Sequence, residues 1–366
     1  MSENLEWKKE LSFLGGSPQE EAQLFELFRE EIQQVQEHFR QSNGGIRRGL
    51  HAKTLVGTTK AQFRVASDIP SDLQLGFLQP GKVYDAHVRF SNASSEVNSG
   101  SDSKPPDLRG VALRVRMGPN DQGRDHDFLM TNAEPHHARN AHEAMDTTVA
   151  FTQEGWLTKL LENFQEPDGG LASQLKLIKG LAGKVEGVKN LVFRVGPLDA
   201  FRIISTLTRQ MKIPVESLAT ETYWSRAPIA FGPVALKYRL EPVLQKSANP
   251  TPEDNLRREL ADRLRALGDG EEVQFEFQIQ RYRDHRSTPI EDSSKQWDSP
   301  FQTIAILALL KQDLNTNGPD ADERAIDDLQ FNPWNVNTDE FVPIGNMNRA
   351  RKPVYQASVA FRTGKG

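Results

Sequence analysis

The stretch 271-EEVQFEFQIQRYRD-284 alternates between apolar and polar residues. Val273, Phe275, Phe277 and Ile279 occupy every second position, and glutamate or glutamine stands between them. Successive side chains of a β-strand point to opposite faces of the sheet, so this period of two predicts a strand with one buried face. The fold should therefore contain a sheet that covers a core on one side.

The same period of two recurs elsewhere, in segments separated by clusters of Pro, Gly, Asp and Ser. These segments cover residues 61–69, 82–92, 109–118, 126–132 and 233–242. Helical patterns are inserted between residues 136 and 215. Several such strands with inserted helices predict an α+β fold, in the form of an antiparallel β-barrel or strongly curved sheet wrapped by helices.

Three further segments are interpreted as helices. The first begins at the N-cap residue Ser17, which is followed by Pro18 and by the capping-box acceptor Glu20. Its apolar stripe, which should face the core, consists of Leu24, Phe28, Ile32, Val35 and Phe39. A second helix is expected within 251–270. The third segment, 300-PFQTIAILALLKQDL-314, is apolar on nearly all sides and is expected to be a buried helix.

The composition excludes several kinds of site. The chain has 366 residues, a formal net charge of −5 and no cysteine. Disulfides, zinc–thiolate sites, iron–sulfur clusters and thiolate nucleophiles are therefore excluded, and the charge gives no general attraction to nucleic acid. The N-terminal residues carry charges where a signal peptide needs an apolar run, and no segment approaches the length of a transmembrane span. We expect a soluble, cytoplasmic protein.

The chain length is compatible with one elaborated domain or with two. No internal repeat or long low-complexity linker divides the sequence. We therefore predict a single domain over residues 1–366, with an N-terminal helical arm at 1–45 and the barrel with its helices at 46–366.

The basic segment 349-RARKPVYQASVAFR-362 contains one tyrosine. On a helix, Arg351, Tyr355 and Arg362 share one face because they are four and seven residues apart. An anionic molecule could bind against that face. The alternative is a solvated basic helix whose tyrosine packs on the core.

Four other fragments carry polar residues suited to chemistry. His51 follows Arg48 in "RRGLHAK", and "VRFSN" contains Arg89 and Ser91. "PDLRG" contains an arginine, and "DFLMTNAEP" ends a predicted strand on Asn132. Each fragment alone is a weak signal, since a lone histidine is more often structural than catalytic. Their order along the chain carries more information.

This order resembles the catalase superfamily, in which a histidine, a "VRFS" strand, a "D-P-R-G" turn and an asparagine precede an R-x-x-x-Y motif. The resemblance covers most of the chain and implies that haem b binds through Tyr355 as the axial ligand of its iron. A tyrosine ligates ferric haem as the anion, and the guanidinium of Arg351 would favour that charged form. It further implies that the haem propionates are held by Arg48, Arg89 and Arg362.

The same resemblance implies a catalytic set on the other side of the haem. His51 and Asn132 would polarise and position the oxygens of a hydroperoxide, and Ser91 would orient the imidazole. Oxygen–oxygen cleavage would follow. The outcome is either peroxidase or catalase turnover, or conversion of a retained lipid fragment to an epoxide.

The chain also departs from ordinary catalases. It stops soon after the ligand helix, so we expect no C-terminal flavodoxin-like domain and no bound NADPH. Ser103 replaces the acidic residue of the narrow channel, unless Asp102 substitutes for it. His136 and His137 replace a phenylalanine pair; we interpret them as an exposed loop rather than a metal site. Leu50 stands where coral allene oxide synthases have threonine, which argues against an allene oxide product.

In size and in its C-terminal motif, the chain resembles small catalase-related haem proteins, some of them fused to lipoxygenases. We therefore predict an enzyme that converts fatty-acid hydroperoxides to epoxides or rearranged products. A fused or adjacent lipoxygenase could be its partner, and it could form a homo-oligomer. One alternative is a minimal catalase or peroxidase acting on hydrogen peroxide or small organic peroxides. Another is a haem-binding protein without efficient turnover, against which His51 and Asn132 argue.

Overall fold

The structure is a computed structural model that describes residues 5–43, 48–49, 51, 53–93, 107–118, 124–152, 156–249, 255–316 and 318–364. Ten strands form one sheet. They are β1 (Lys53–Val65), β2 (Val83–Asn92), β3 (Arg109–Val115), β4 (His126–Thr131), β5 (Tyr223–Trp224), β6 (Ile229–Phe231), β7 (Val234–Pro242), β8 (Glu272–Arg281), β9 (Phe301–Leu310) and β10 (Phe341–Pro343).

Eight of these strands close into an antiparallel barrel. Their order is β7–β5–β4–β3–β2–β1–β9–β8, and the pairing of β7 with β8 completes the ring. β6 and β10 extend the sheet beyond β7. The predicted α+β fold with an antiparallel β-barrel is therefore confirmed.

The barrel interior is filled by the apolar face that the sequence pattern predicts. Val273, Phe275, Phe277 and Ile279 of β8 are all buried. The ring of Phe277 packs 5.3 Å from that of Phe63, measured between ring centroids. Aromatic side chains from several strands thus meet in one core, which fixes the strand register.

The interpretation of residues 300–314 as a helix was wrong. Residues 301–310 form strand β9, which pairs with β1 on one side and β8 on the other. Leu307, Ala308 and Leu309 are all fully buried, although successive side chains point to opposite faces. A strand buried on both faces reads as a continuous apolar run, which periodicity alone does not distinguish from a buried helix.

Helices lie outside the barrel. They are α1 (Pro18–Asn43), α2 (Ala141–Ala150), α3 (Trp156–Asn163), α4 (Leu171–Ala182), α5 (Glu186–Val195), α6 (Pro197–Met211), α7 (Leu256–Ala266), α8 (Ala321–Asp328) and α9 (Gly345–Thr363). Helices α2 to α6 fall in the interval where helical insertions were predicted, and α7 lies within 251–270. Among the described residues, no helix is both long enough and apolar enough to cross a membrane.

The first helix packs against the last. As predicted, Ser17 caps α1, because its hydroxyl accepts a hydrogen bond from the backbone N–H of Glu20 at 3.2 Å. Phe28 of α1 lies in one apolar cluster with Met347 and Ala350 of α9. This contact supports the helix that carries Tyr355.

Candidate active site

A cavity lies between α9 and strands β2, β3 and β4. The volume of this cavity is about 260 Å³. Seven of the eight site residues predicted from the sequence line it, and Asn132 does not. The seven residues are Arg48, His51, Arg89, Ser91, Arg351, Tyr355 and Arg362.

His51 is held in place by its backbone and its ring. Its N–H donates to the carbonyl of Ala93 at 3.2 Å, and its φ of 51° lies in the left-handed region, which is uncommon for a residue other than glycine. Its Nδ1 is 3.2 Å from the hydroxyl oxygen of Ser91. In the tautomer that donates from Nδ1 to Ser91, Nε2 carries the lone pair. The geometry brings His51 and Ser91 together as predicted.

A glycine makes room for this imidazole. Gly110 of β3 pairs with Ser91 of β2, and a Cβ atom at Gly110 would lie 2.3 Å from Nδ1 of His51. No side chain fits in that space. The glycine of the motif "PDLRG" therefore has a steric role beside the imidazole.

The surroundings keep His51 neutral. Burial, followed by the positive charges of Arg89, Arg226, Arg351 and Arg48, lowers the pKa of His51 to about 3. At neutral pH the ring is therefore an uncharged base that can take up a proton.

Tyr355 and Arg351 lie one turn apart on α9, and both line the cavity. Nη2 of Arg351 donates to the phenol oxygen of Tyr355 at 3.2 Å, and its Nη1 donates to Oδ1 of Asn348 at 3.1 Å. Burial opposes the charged form of Arg351, but the charge and hydrogen bond of Tyr355 raise its pKa. The guanidinium is thus fixed beside the phenol oxygen by two hydrogen bonds.

Three other arginines, Arg48, Arg89 and Arg362, line the same cavity, and two of them share one carboxylate. Arg48 and Arg89 both donate to Oδ1 of Asp327, at 3.1 Å and 3.0 Å. Burial lowers the pKa of Arg48 to about 9, and burial also lowers the pKa values of Arg89 and Arg362. Nε of Arg362 is buried without a hydrogen-bond partner among the described residues. The three guanidinium groups outnumber the two carboxylates near them, those of Asp327 and Asp328, as a site for anionic groups requires.

The side-chain amide of Asn132 forms its hydrogen bonds outside the cavity lining. Its Oδ1 accepts from the backbone N–H of Arg109 at 2.7 Å, and its Nδ2 donates to Glu221 at 2.9 Å. The side chain thus ties the end of β4 to its neighbours, outside the cavity lining. Asn132 was predicted to position the oxygens of a hydroperoxide together with His51; in this structure its amide bonds to Arg109 and Glu221 and does not line the cavity.

The interpretation of His136 and His137 as an exposed loop was also wrong. Both side chains are partly buried, and their ring centroids are 4.3 Å apart. The loop folds inward because the N–H of His136 donates to the carbonyl of Ser293 at 2.9 Å. Within the described ranges, no group of three His, Asp or Glu residues could hold a metal ion. Leu50, Asp102 and Ser103 lie outside the described residues.

A second, smaller cavity adjoins the first. The volume of this second cavity is about 170 Å³. Its lining shares His51, His136 and Arg226 with that of the first cavity. Its other walls are largely apolar and come from α1, α2, α3 and α6. The apolar lining includes Val35, Phe39, Leu108, Phe151, Trp156, Leu207 and Met211. None of the α9 residues line it, so it lies on the His51 side of the site.

No protein-family model matches the chain, and no curated protein matches it by sequence. Solved catalase structures do match it. A bacterial catalase matches with a TM-score of 0.59 and 16% identity, over 89% of this chain and 59% of that one. A fungal catalase gives 0.57 and 14%, over 90% and 62%. Catalase A of Saccharomyces cerevisiae gives 0.57 and 14%, over 89% and 63%. The chain spans about three fifths of the length of these proteins, and it has the catalase fold.

Proposed function

We propose that the protein is a haem-dependent hydroperoxidase that binds haem b through Tyr355. The observation that carries this proposal is the presence in one cavity of two pairs, Arg351 with Tyr355 and Ser91 with His51. A phenolate stabilised by arginine is a ligand for ferric iron, and a neutral, oriented imidazole is a general base. A haem carrier would need only the first pair.

The residues present fit this cofactor. Arg48, Arg89 and Arg362 are placed to bind its two propionates, and Nε of Arg362 is a buried donor for which the described residues provide no partner. When bound, haem supplies the iron centre at which the oxygen–oxygen bond of a peroxide is activated.

The protein groups then handle the proton and the position of the substrate. Nε2 of His51 takes the proton from the terminal oxygen of the hydroperoxide and returns it to the oxygen that leaves. Ser91 holds the imidazole through Nδ1, and Gly110 allows the ring to remain above β3. We assign the catalytic role to His51 and the positioning role to Ser91.

The substrate that we propose is a fatty-acid hydroperoxide, converted to epoxide or rearranged products. The second cavity supports this choice because it presents an apolar wall directly beside His51. Each methylene buried there would contribute about 0.8 kcal/mol to binding. A lipoxygenase, fused or adjacent, is the class of enzyme that would supply this substrate. We further propose a cytoplasmic location and leave self-association as a matter for measurement.

A second candidate is a minimal catalase or peroxidase acting on hydrogen peroxide or small organic peroxides. The catalase fold favours it, although a fold alone does not fix the substrate. Oxygen release from hydrogen peroxide, with no preference for a lipid hydroperoxide, would support this candidate over the first.

The test of the shared proposal is a haem titration followed by peroxide turnover. The wild-type protein should bind one equivalent of haem with the spectrum of a ferric tyrosinate complex. His51→Ala should retain that spectrum while turnover of any peroxide falls by roughly two orders of magnitude. Wild-type rates in haem-loaded H51A would show that the chemistry lies elsewhere.

A further inference from the structure

Arg226 is a buried cation that lies in no recognisable sequence motif. It follows β5, its φ of 59° is left-handed, and its side chain is only 8% exposed. Nη2 donates to the carbonyl of Pro135 at 2.7 Å and to Oε1 of Gln210 at 3.2 Å, and Nε has no partner among the described residues. No described carboxylate forms an ion pair with it.

A buried charge without a counter-ion destabilises the folded state, so the presence of Arg226 at this position needs an explanation. Neutral acceptors hold the guanidinium of Arg226 in place, which fixes its direction without cancelling its charge. Such a group is prepared to stabilise an anion that is present only transiently or only when a ligand binds.

The position of Arg226 relates it to His51. Both residues line both cavities, and the second cavity includes no residue of the helix that carries Tyr355. Burial together with nearby cations, Arg226 among them, lowers the pKa values of His51, His136 and His137. The positive charge of Arg226 therefore acts on the side of the site where a peroxide would contact the imidazole of His51.

We propose that Arg226, in place of Asn132, stabilises the negative charge that develops on the oxygen leaving the hydroperoxide. Asn132 does not line the cavity, and its amide bonds to Arg109 and Glu221 instead. The proposal rests on the hydroperoxide function above and adds to it a residue that controls how the oxygen–oxygen bond breaks.

Heterolytic and homolytic cleavage of the hydroperoxide distribute the electrons of the oxygen–oxygen bond differently. In heterolytic cleavage of ROOH, both bond electrons leave with the RO fragment, which takes the proton held by His51 and departs as the alcohol ROH. Haem, held by Tyr355, would supply the acceptor for the terminal oxygen, and an electron donor or a second hydroperoxide molecule would return the two electrons. In homolytic cleavage one electron stays with each oxygen, and the RO radical can rearrange. A fixed cation favours the charged path, so Arg226 raises the share of alcohol and limits the radical path that leads to the rearranged products of the proposed function.

Cumene hydroperoxide distinguishes the two paths, since heterolysis gives 2-phenyl-2-propanol and homolysis gives acetophenone. We expect Arg226→Gln to raise the ratio of acetophenone to alcohol roughly tenfold, equivalent to about 1.4 kcal/mol. Arg226→Lys should retain most of the alcohol. Arg209→Gln is the matched control, because Arg209 lies on α6 with a side chain that is 63% exposed, and its ratio should equal that of the wild type.

A second measurement needs no turnover. Spectral titration of the haem-loaded protein gives its affinity for azide, an anion, and for nitric oxide, a neutral ligand. Arg226→Gln should weaken azide roughly tenfold and leave nitric oxide unchanged. If no hydroperoxide is turned over at all, the proposed function fails, but a selective loss of azide affinity would still support the anion-stabilising role.

Gln210→Glu provides an independent variant in case R226Q does not fold. It places a carboxylate at the position 3.2 Å from Nη2 of Arg226 and neutralises the charge while keeping the side chain. We expect the same changes as for R226Q. Wild-type product ratios and wild-type azide affinity in a haem-loaded R226Q or Q210E would overturn the proposal.

Discussion

Nη2 of Arg351 lies 3.2 Å from the phenol oxygen of Tyr355, one helical turn farther along α9. The guanidinium is partly buried, and a second bond to Asn348 fixes its orientation. The phenol oxygen therefore has a fixed position in the cavity.

Replacing the phenol oxygen should remove the proposed axial ligand. We expect Tyr355→Phe to lose stoichiometric haem, or to shift its absorption spectrum away from that of a ferric tyrosinate. Arg351→Ala should weaken the same site, because the phenolate loses its neighbouring cation. Tyr282→Phe is the control, since Tyr282 bonds to Glu10 outside the cavity. An unchanged spectrum in Y355F would contradict the ligand assignment.

Adding one methyl group to β3 should displace the imidazole. The new Cβ in Gly110→Ala would lie 2.3 Å from Nδ1 of His51 and 2.9 Å from the hydroxyl oxygen of Ser91. We expect haem content to be retained while peroxide turnover falls by roughly a hundredfold, the scale for loss of a positioned base. In the control Gly180→Ala, the added atom meets no other heavy atom within 4 Å. Normal turnover in G110A would show that the ring need not sit where we find it.

Acid should destabilise the protein through its buried histidines. Burial lowers the pKa of His126 to about 3, and its ring lies fully buried among Phe77, Phe128 and Phe341. Between pH 6.5 and about pH 3 the unfolded chain binds a proton at this residue that the folded chain does not. The contribution of neutral, buried His126 to the free energy of unfolding is fully present above pH 6.5. It decreases as the pH falls through this window, by at most about 1.4 kcal/mol per pH unit.

Urea denaturation at several pH values measures this slope. His126→Gln should make the free energy of unfolding less dependent on pH between about 6 and 4, although its absolute value will be lower. His285→Gln is the control because the side chain of His285 is 79% exposed, and it should leave the slope unchanged. An unaltered slope in H126Q would mean that His126 titrates normally in the folded state.

Filling the second cavity should change substrate preference. For the wild type we expect kcat/KM for a polyunsaturated fatty-acid hydroperoxide to exceed that for hydrogen peroxide at least roughly a hundredfold, equivalent to a few buried methylenes. Leu207→Trp would occupy the apolar wall and reduce that ratio without loss of haem. Leu198→Trp is the matched control on the same helix, where the side chain is 49% exposed. If the ratio of the two kcat/KM values is the same in the wild type and in L207W, the second cavity does not bind the lipid substrate.

Alternation was sufficient to predict the barrel, because a sheet with one buried face must repeat with a period of two. It failed for β9, which is buried on both faces and so lacks the alternation. The cavity residues followed from the order of short motifs along the chain. These motifs identify which residues are present but not how each side chain is bonded, and hence Asn132 was assigned to a cavity that it does not line.

Arg226 and His136 show a different limit. Both are polar residues in irregular segments with no distinctive spacing, and such residues are usually exposed. Only long-range contacts, with Pro135 and Gln210 for Arg226 and with Ser293 for His136, turn them inward. Because these partners are distant in sequence or lie in loops, no local pattern could have revealed them.

The position of Tyr355 after all ten strands has a consequence for biosynthesis. Synthesis runs from the amino end, so His51 and the barrel strands leave the ribosome before α9 does. α9 then packs against α1, near the other end of the chain. Under the proposed assignment, haem would meet its iron ligand only after the residues of the described strands have been synthesised.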